Sequence, residues 1–433
     1  MEQGLSYQLP NATNPERQNR VSQERVLTHR LTAEFAKLAT FLSTKQLKQS
    51  TVYQALQPQI DDVVNGYEYG CFSDEAVDKD KSFYRAILWH LEHGANFEGI
   101  LETLRNRALV SRADIYFFPG VDIGTHRSQN VNVIRDLAIE LGYNYYFATS
   151  FLHLDWAHAK DNQNLALEGN AIMTRLPLSN LRVVKLPNDR DPMRGTYKRI
   201  GCDKAILADV GVGSGQMTLV CVNLPGLSSQ RQRSRHMQKV MQYIHNHCPA
   251  KPVLLGGDIK TSTYNCRSAA HFFLSVFNKV FRGFDYIVEE HHIFPERHFE
   301  RRLFQSLRKY DFIFEPFNEL GVGSYHCKTQ ELMGPALSDG LMQKVIKKML
   351  SLRDESVPFK YDWFLANSKV RVSRRHEAER PKVIRHLFKD GVPISSHDPV
   401  MLDFEVAAEM TGDVAAHELQ PTALNDNQTA KAP

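Results

Sequence analysis

The chain lacks an apolar run of the ~18 residues that a membrane-spanning helix needs. Its opening residues, MEQGLSYQLPNATNPERQNR, hold no apolar signal core, so a cytoplasmic location is expected. Cysteine is scarce. Cys71, Cys202, Cys221, Cys248, Cys266 and Cys327 show no CxxC or Cys/His zinc spacing, which excludes a disulfide framework and favours reduced, buried thiols. Neither sign of charge dominates. Lys plus Arg number 53 and Asp plus Glu 49, a net +4 that by itself makes no case for nucleic acid. A pI near 8.6 does not separate nucleic acid from a lipid headgroup.

What is present is an ordinary globular composition, 42% hydrophobic and 24% charged over 433 residues, enough for one large or two medium domains. Residues 14–60 read as helical. The stretch 25–43 carries Val26, Leu27, Leu31, Phe35, Leu38, Ala39 and Leu42 near a 3.6-residue period. An N-terminal helical extension over 1–82 is expected, with partner binding as its second reading. Strand-like runs follow at 86–91, 114–118, 144–149, 169–174, 204–210, 217–224, 252–258, 361–366 and 399–406, with helical segments at 97–109, 130–141, 232–247 and 268–280. This mixture predicts two mixed sheets flanked by helices. Residues 281–358 read as an insertion or cap with amphipathic helices at 294–310 and 341–355. Residues 408–433, without aromatics, read as a disordered tail.

Nine landmarks then stand in order: LWHLEHG, ADIYFFPGVDIGTHRS, LAIELGYNYYFATSFL, EGNAIMTRLPL, VNLPG, RSRHMQ, GGDIKTST, YDWFLA and ISSHDPV. The series resembles the endonuclease/exonuclease/phosphatase superfamily, the DNase I-like fold, over about residues 83–407. The resemblance implies a four-layer α/β sandwich and Mg²⁺-dependent cleavage of a phosphate ester, with Mg or Mn as cofactor. Magnesium is a hard cation held by oxygen ligands, and a histidine oriented by a carboxylate serves as general base.

Against that pattern the chain keeps Asp258 and His397 and departs at five positions. His90 stands for an Asn, Gly120 for the metal-binding Glu, Asn223 for a His, Lys260 for an Asn, and Ser396 for the Asp beside the base. Two negative charges are lost and one positive charge is gained. The departures imply a catalytically impaired domain acting as a binding module, in which Lys260 pairs with Asp258 and replaces the charge of the metal. Two alternatives stay open. In one, Lys260 points to solvent and the site is eroded. In the other, a metal-dependent phosphodiesterase or phosphatase uses His90, Glu92 or His93 beside Asp258, a set favouring Mn²⁺ or Zn²⁺, with His90 and Glu92 sharing a strand face. A scaffold for the 281–358 insertion is a third reading.

Asn223, Lys260, Arg127 and Arg175 are candidate substrate contacts. Partners compatible with these residues are a phosphorylated small molecule, a lipid headgroup, nucleic acid or a protein. His397 needs a carboxylate to set its tautomer, and Asp398 and Asp362 are the candidates, Asp362 reading first as structural. A shift of the Gly120 alignment by one or two residues brings in only Asp122. The groups His153, Asp155, His158 and Glu289, Glu290, His291, His292, His298 read as exposed polar loops rather than ligand sets. In SSQRQRSRH, Arg235 with Gln238 reads as tying a loop to the sheet, with Arg231, Arg233 and Arg235 as a possible phosphate-binding run. Thr261 and Ser262 read as hydrogen-bond donors near Asp258 or as a helix cap.

Overall fold

The structure is a computed structural model that describes residues 24–74, 78, 80–154, 164–194, 197–213, 215–226, 228–261, 274, 277, 282–283, 286–328 and 356–406. Two mixed sheets form its centre. The first has ten strands, in the spatial order Glu24–Arg25, Tyr67–Gly70, Asn144–His153, Leu167–Thr174, Ile115–Ile123, Tyr84–Leu88, Val400–Val406 and Val370–Val372. Arg199–Gly201 joins Asn144–His153 and Lys382–Val383 joins Val400–Val406. The second has six: Phe312–Ile313, Asp362–Asn367, Val253–Asp258, Gly215–Asn223, Lys204–Val212 and Leu178–Lys185.

The layers follow from three separate cores. Leu88, Ile115, Phe117 and Ile172 of the first sheet meet Ile206, Leu219, Cys221 and Phe364 of the second. On the outside of the first sheet, helices Phe97–Asn106 and Val133–Leu141 pack through Ile100, Leu104, Ile134 and Leu137. On the outside of the second, Gln230–His247 and Arg301–Arg308 pack through Met237, Val240, Leu303 and Phe304. Central strands buried on both faces need near-continuous apolar sequence, as in IYFF and VLL. The result is helix, sheet, sheet, helix: the four-layer α/β sandwich expected from the sequence.

Several expectations change. The stretch 25–43 is not one helix. Arg25 lies in a strand, and a 3-10 turn at Thr32–Glu34 leads into an α-helix only at Phe35–Leu38, where the side chains of His29 and Thr32 meet the carbonyls of Leu165 and Asn164 just before it. Within the stretch expected as an insertion, Arg301–Arg308 and Phe312–Ile313 pack as part of the second sheet's layer. The helix expected at 294–310 is therefore shorter, and His153, His291 and His292 are buried rather than in exposed loops. The helices expected at 268–280 and 341–355, and the tail beyond 406, lie outside the described residues. No helix among the described residues is long and apolar enough to cross a membrane.

The N-terminal segment is fastened by a buried lysine. Lys204 Nζ donates to the carbonyls of Val64, the last residue of helix Thr51–Val64, and of Thr149. Burial lowers its pKa to about 8. Lys204→Met leaves both carbonyls without that donor and is expected to cost about 1–3 kcal/mol. A melting curve checks it, and an unchanged curve would contradict this fastening.

Candidate functional site

Strands Val253–Asp258 and Gly215–Asn223 run parallel, with Asn223 opposite Asp258, while Asp362 faces Asp258 across the antiparallel neighbour. Three polar side chains thus meet at one edge of the second sheet. From the first sheet, the segment after Tyr84–Leu88 brings His90, and the segment before Val400–Val406 brings His397. The two segments are tied together. Trp89 Nε1 donates to the His397 carbonyl at 2.8 Å, and Ser395 Oγ to the His90 carbonyl at 2.8 Å.

Residue 260 occupies both oxygens of Asp258. Its backbone N–H donates to Oδ1 at 3.1 Å, and its ammonium pairs with Oδ2. The chain doubles back because Lys260 has φ of +49°, a left-handed conformation that suits Asn or Gly better than Lys. Of the two orientations open to Lys260, the structure has the inward one. Burial pushes the Asp258 carboxyl up, and Lys260 and His397 only partly offset it.

His397 Nδ1 lies 2.8 Å from Asp362 Oδ2, so Asp362 is the partner that sets its tautomer. Asp398 instead meets His326 at 2.8 Å. The reading of Asp362 as structural first therefore gives way to a direct partnership with His397. Burial alone would depress the His397 pKa, but the Asp362 charge and hydrogen bond, with Asp258 behind them, raise it. His90 stacks on His397 at 4.5 Å and approaches Asp258 Oδ2 to 4.0 Å. Burial, then His397, Lys260 and His93, hold its pKa well below the usual value.

Gly120 shows why no carboxylate projects here. At φ of +69°, a Cβ would stand 2.7 Å from Asn223 Nδ2 and 2.8 Å from His90 Nε2. His90 and Asn223 fill the space that a longer residue 120 would need. The Gly120 N–H is held by Asn170 Oδ1 at 3.1 Å.

The expectation that His90 and Glu92 share a face fails. The strand stops at Leu88, and Glu92, His93 and Gly94 are all left-handed, at φ of 47°, 66° and 89°. Glu92 turns away and accepts the Ser396 N–H at 3.0 Å. It is His93 that turns inward, beside Asp122 and Glu168. Arg127 Nη2 sits among these three, 2.8 Å from His93 Nδ1, 2.9 Å from Asp122 Oδ1 and 3.1 Å from Glu168 Oε2. Glu168 also meets His153 at 2.8 Å. Burial works against its ionisation, yet the His153 hydrogen bond and the surrounding positive groups hold its carboxyl well below the usual range. Arg127, a candidate substrate contact from the sequence, is thus engaged by acids beside the His90–His397 cluster.

Arg175 is not near it. It follows the far end of strand Leu167–Thr174, and its Nε donates to Tyr143 Oη at 2.7 Å. Arg235 is exposed. The buried arginine of that run is Arg233, paired with Glu300 and the Ser228 carbonyl. Thr261 donates to the Lys360 carbonyl instead of Asp258, while Ser262, Asp155 and His158 lie outside the described residues. Glu168 and Asn170 were not singled out from sequence. The signal was there in LEGNAIMT, where an acid and an amide interrupt a strand buried along its whole length.

Two groups of three possible metal donors gather among the described residues: Asp258, Asp362, His397 and His93, Asp122, Glu168, each within 4.8 Å. Neither fits the Mg²⁺ that the sequence resemblance implies. Lys260 holds the first group's Asp258, and Arg127 holds the acids of the second. A divalent ion ~4 Å from such a cation is repelled by several kcal/mol at an effective dielectric of ~20.

No protein-family model matches the chain, and no curated protein does. Solved structures similar to it include an endonuclease/exonuclease/phosphatase from Beutenbergia cavernae, 16% identical over 76% of this chain and 72% of that one, with a TM-score of 0.43. The human Nocturnin catalytic domain with bound sulfate is 15% identical over 75% and 94%, TM-score 0.42. D. rerio TDP2 with a single-strand DNA product is 13% identical over 75% and 100%, TM-score 0.40. The likeness is to a fold. At these identities and scores nothing of those proteins' chemistry passes to this chain.

The His397–Asp362 pair sets a pH dependence. A raised histidine pKa contributes stability that is complete below 6.5 and fades as pH rises through the folded value. Asp362→Asn is therefore expected to destabilise more at about pH 6 than at about pH 9. Melting curves of both proteins at the two pH values check this. A difference that grows with pH would contradict it.

Proposed function

We propose that this chain is an endonuclease/exonuclease/phosphatase-type domain, catalytically impaired, whose pocket binds a phosphorylated ligand without a resident metal. The observation that carries the reading is the engagement of both Asp258 oxygens by residue 260. Around it, Lys260, Arg127 and Arg199 keep 20%, 32% and 31% of their side chains exposed. These ends, with the hydrogen-bonding edges of His90 and His397, are suited to phosphate oxygens.

The hydrogen-bonded Asp362–His397 pair favours a second reading, a slow hydrolase. There His397, oriented by Asp362, would accept a proton from water while Lys260 stabilised charge developing on phosphate.

Turnover of a phosphomonoester and phosphodiester panel, with and without Mg²⁺ and Mn²⁺, separates the two readings. The expected result is no hydrolysis above that of Asp258→Ala and His397→Ala. Metal-dependent turnover lost in both variants would overturn the first reading, and metal-independent turnover lost in His397→Ala would establish the second.

A further inference from the structure

Nine residues before His397, the chain forms a small ribbon belonging to neither large sheet. Phe388–Lys389 pairs with Val392–Pro393, with Phe388 opposite Pro393 and Lys389 opposite Val392. Asp390 and Gly391 close it with φ of 53° and 78°, the two-residue turn favoured by an Asp-Gly pair. Its base is fixed, since Leu387 and Ile394 are buried and joined by a 3.0 Å hydrogen bond, and Lys389 reaches Glu102 at 3.5 Å.

The tip carries apolar side chains on both faces, with Lys389 beside Val392 on one of them and Asp390 exposed in the turn. Opposed residues of a hairpin share a face and successive residues alternate. Phe388, 55% exposed, stands with exposed Pro393 on one face, and Val392, 60% exposed, stands on the other. A ribbon docked flat on a protein partner would carry its apolar groups on one side. A tip with apolar side chains on both sides suits a medium that surrounds it.

Cations flank the base. Arg107 and Lys389, with Glu102, line a groove between the ribbon and helix Phe97–Asn106, and Arg385 is exposed just before it. Residues 369–390 hold eight Lys or Arg against Glu377, Glu379 and Asp390, an excess of five, with Arg375 paired to Glu405 and Lys389 to Glu102. Arg371 and Lys382 lie on edge strands, where cations also guard against edge-to-edge pairing, but the ribbon itself is no such edge.

We propose that this ribbon docks the protein on an anionic membrane surface, with Phe388 and Val392 entering the headgroup layer and the basic base meeting acidic lipid. Burial of the apolar tip and attraction of the basic base to acidic lipid act together in such an anchor. The proposal stands apart from whatever the pocket binds.

The test is co-sedimentation of the full chain with phosphatidylcholine vesicles, with and without phosphatidylserine. Binding is expected only with phosphatidylserine, weakening as salt rises. The Phe388→Ser, Val392→Ser double variant should keep its melting curve and lose at least about tenfold in partitioning, and Arg385→Glu, Lys389→Glu should lose as much. Absence of vesicle binding would overturn the proposal, as would a tip variant that partitions like the parent. So would binding of a duplex oligonucleotide, sensitive to the charge variant, by a protein that ignores vesicles.

Discussion

Asp258 lies fully buried at the end of a strand, two residues before a lysine in a left-handed backbone. A buried carboxylate without a partner is costly, and burial alone pushes this one toward its protonated form. The Lys260 ammonium is the partner, and the neighbouring geometry is consistent with it. His90 approaches Asp258 with its pKa lowered by burial, Asn223 and His90 fill the space beside Gly120, and Asp362 raises the His397 pKa against the effect of burial. A divalent ion would have to displace a tethered cation that enters the site with no translational entropy to lose.

The same arrangement recurs a few ångströms away. Asp122 and Glu168, adjacent across paired strands, share Arg127, with His93 and His153 completing the network. The left-handed run at 92–94 delivers His93 to that network and leaves Glu92 to the Ser396 backbone. In both groups the acids are buried against cations, while Lys260 and Arg127 keep 20% and 32% of their side chains exposed. The proposal of an anionic ligand rests on this arrangement.

Much of this was legible in the sequence, for identifiable reasons. The sandwich could be read because its central strands are buried on both faces and so have near-continuous apolar sequence, while the outer helices keep a 3.6-residue period. The Lys260–Asp258 pair could be read because two residues so close in sequence have few ways to avoid one another. The outcome at His90 and Glu92 could not, since alternation holds only while a strand lasts, and this one ends at Leu88. Arg175 was misplaced because sequence gives a residue's strand more readily than the end at which the site lies. The Asp362–His397 and Arg127–Glu168 contacts join residues 35 and 41 positions apart, a separation at which residue type alone does not choose the partner.

The central claim is that the Lys260 ammonium holds the place of a divalent cation. Its most direct test is a calorimetric titration of Mn²⁺ into the parent protein and into Lys260→Asn, a residue that accepts the left-handed backbone while leaving Asp258 without its ammonium. The account predicts no binding heat for the parent and a saturable site in the variant that disappears when Asp258→Ala is added. A parent protein that binds Mn²⁺ through Asp258 would contradict it.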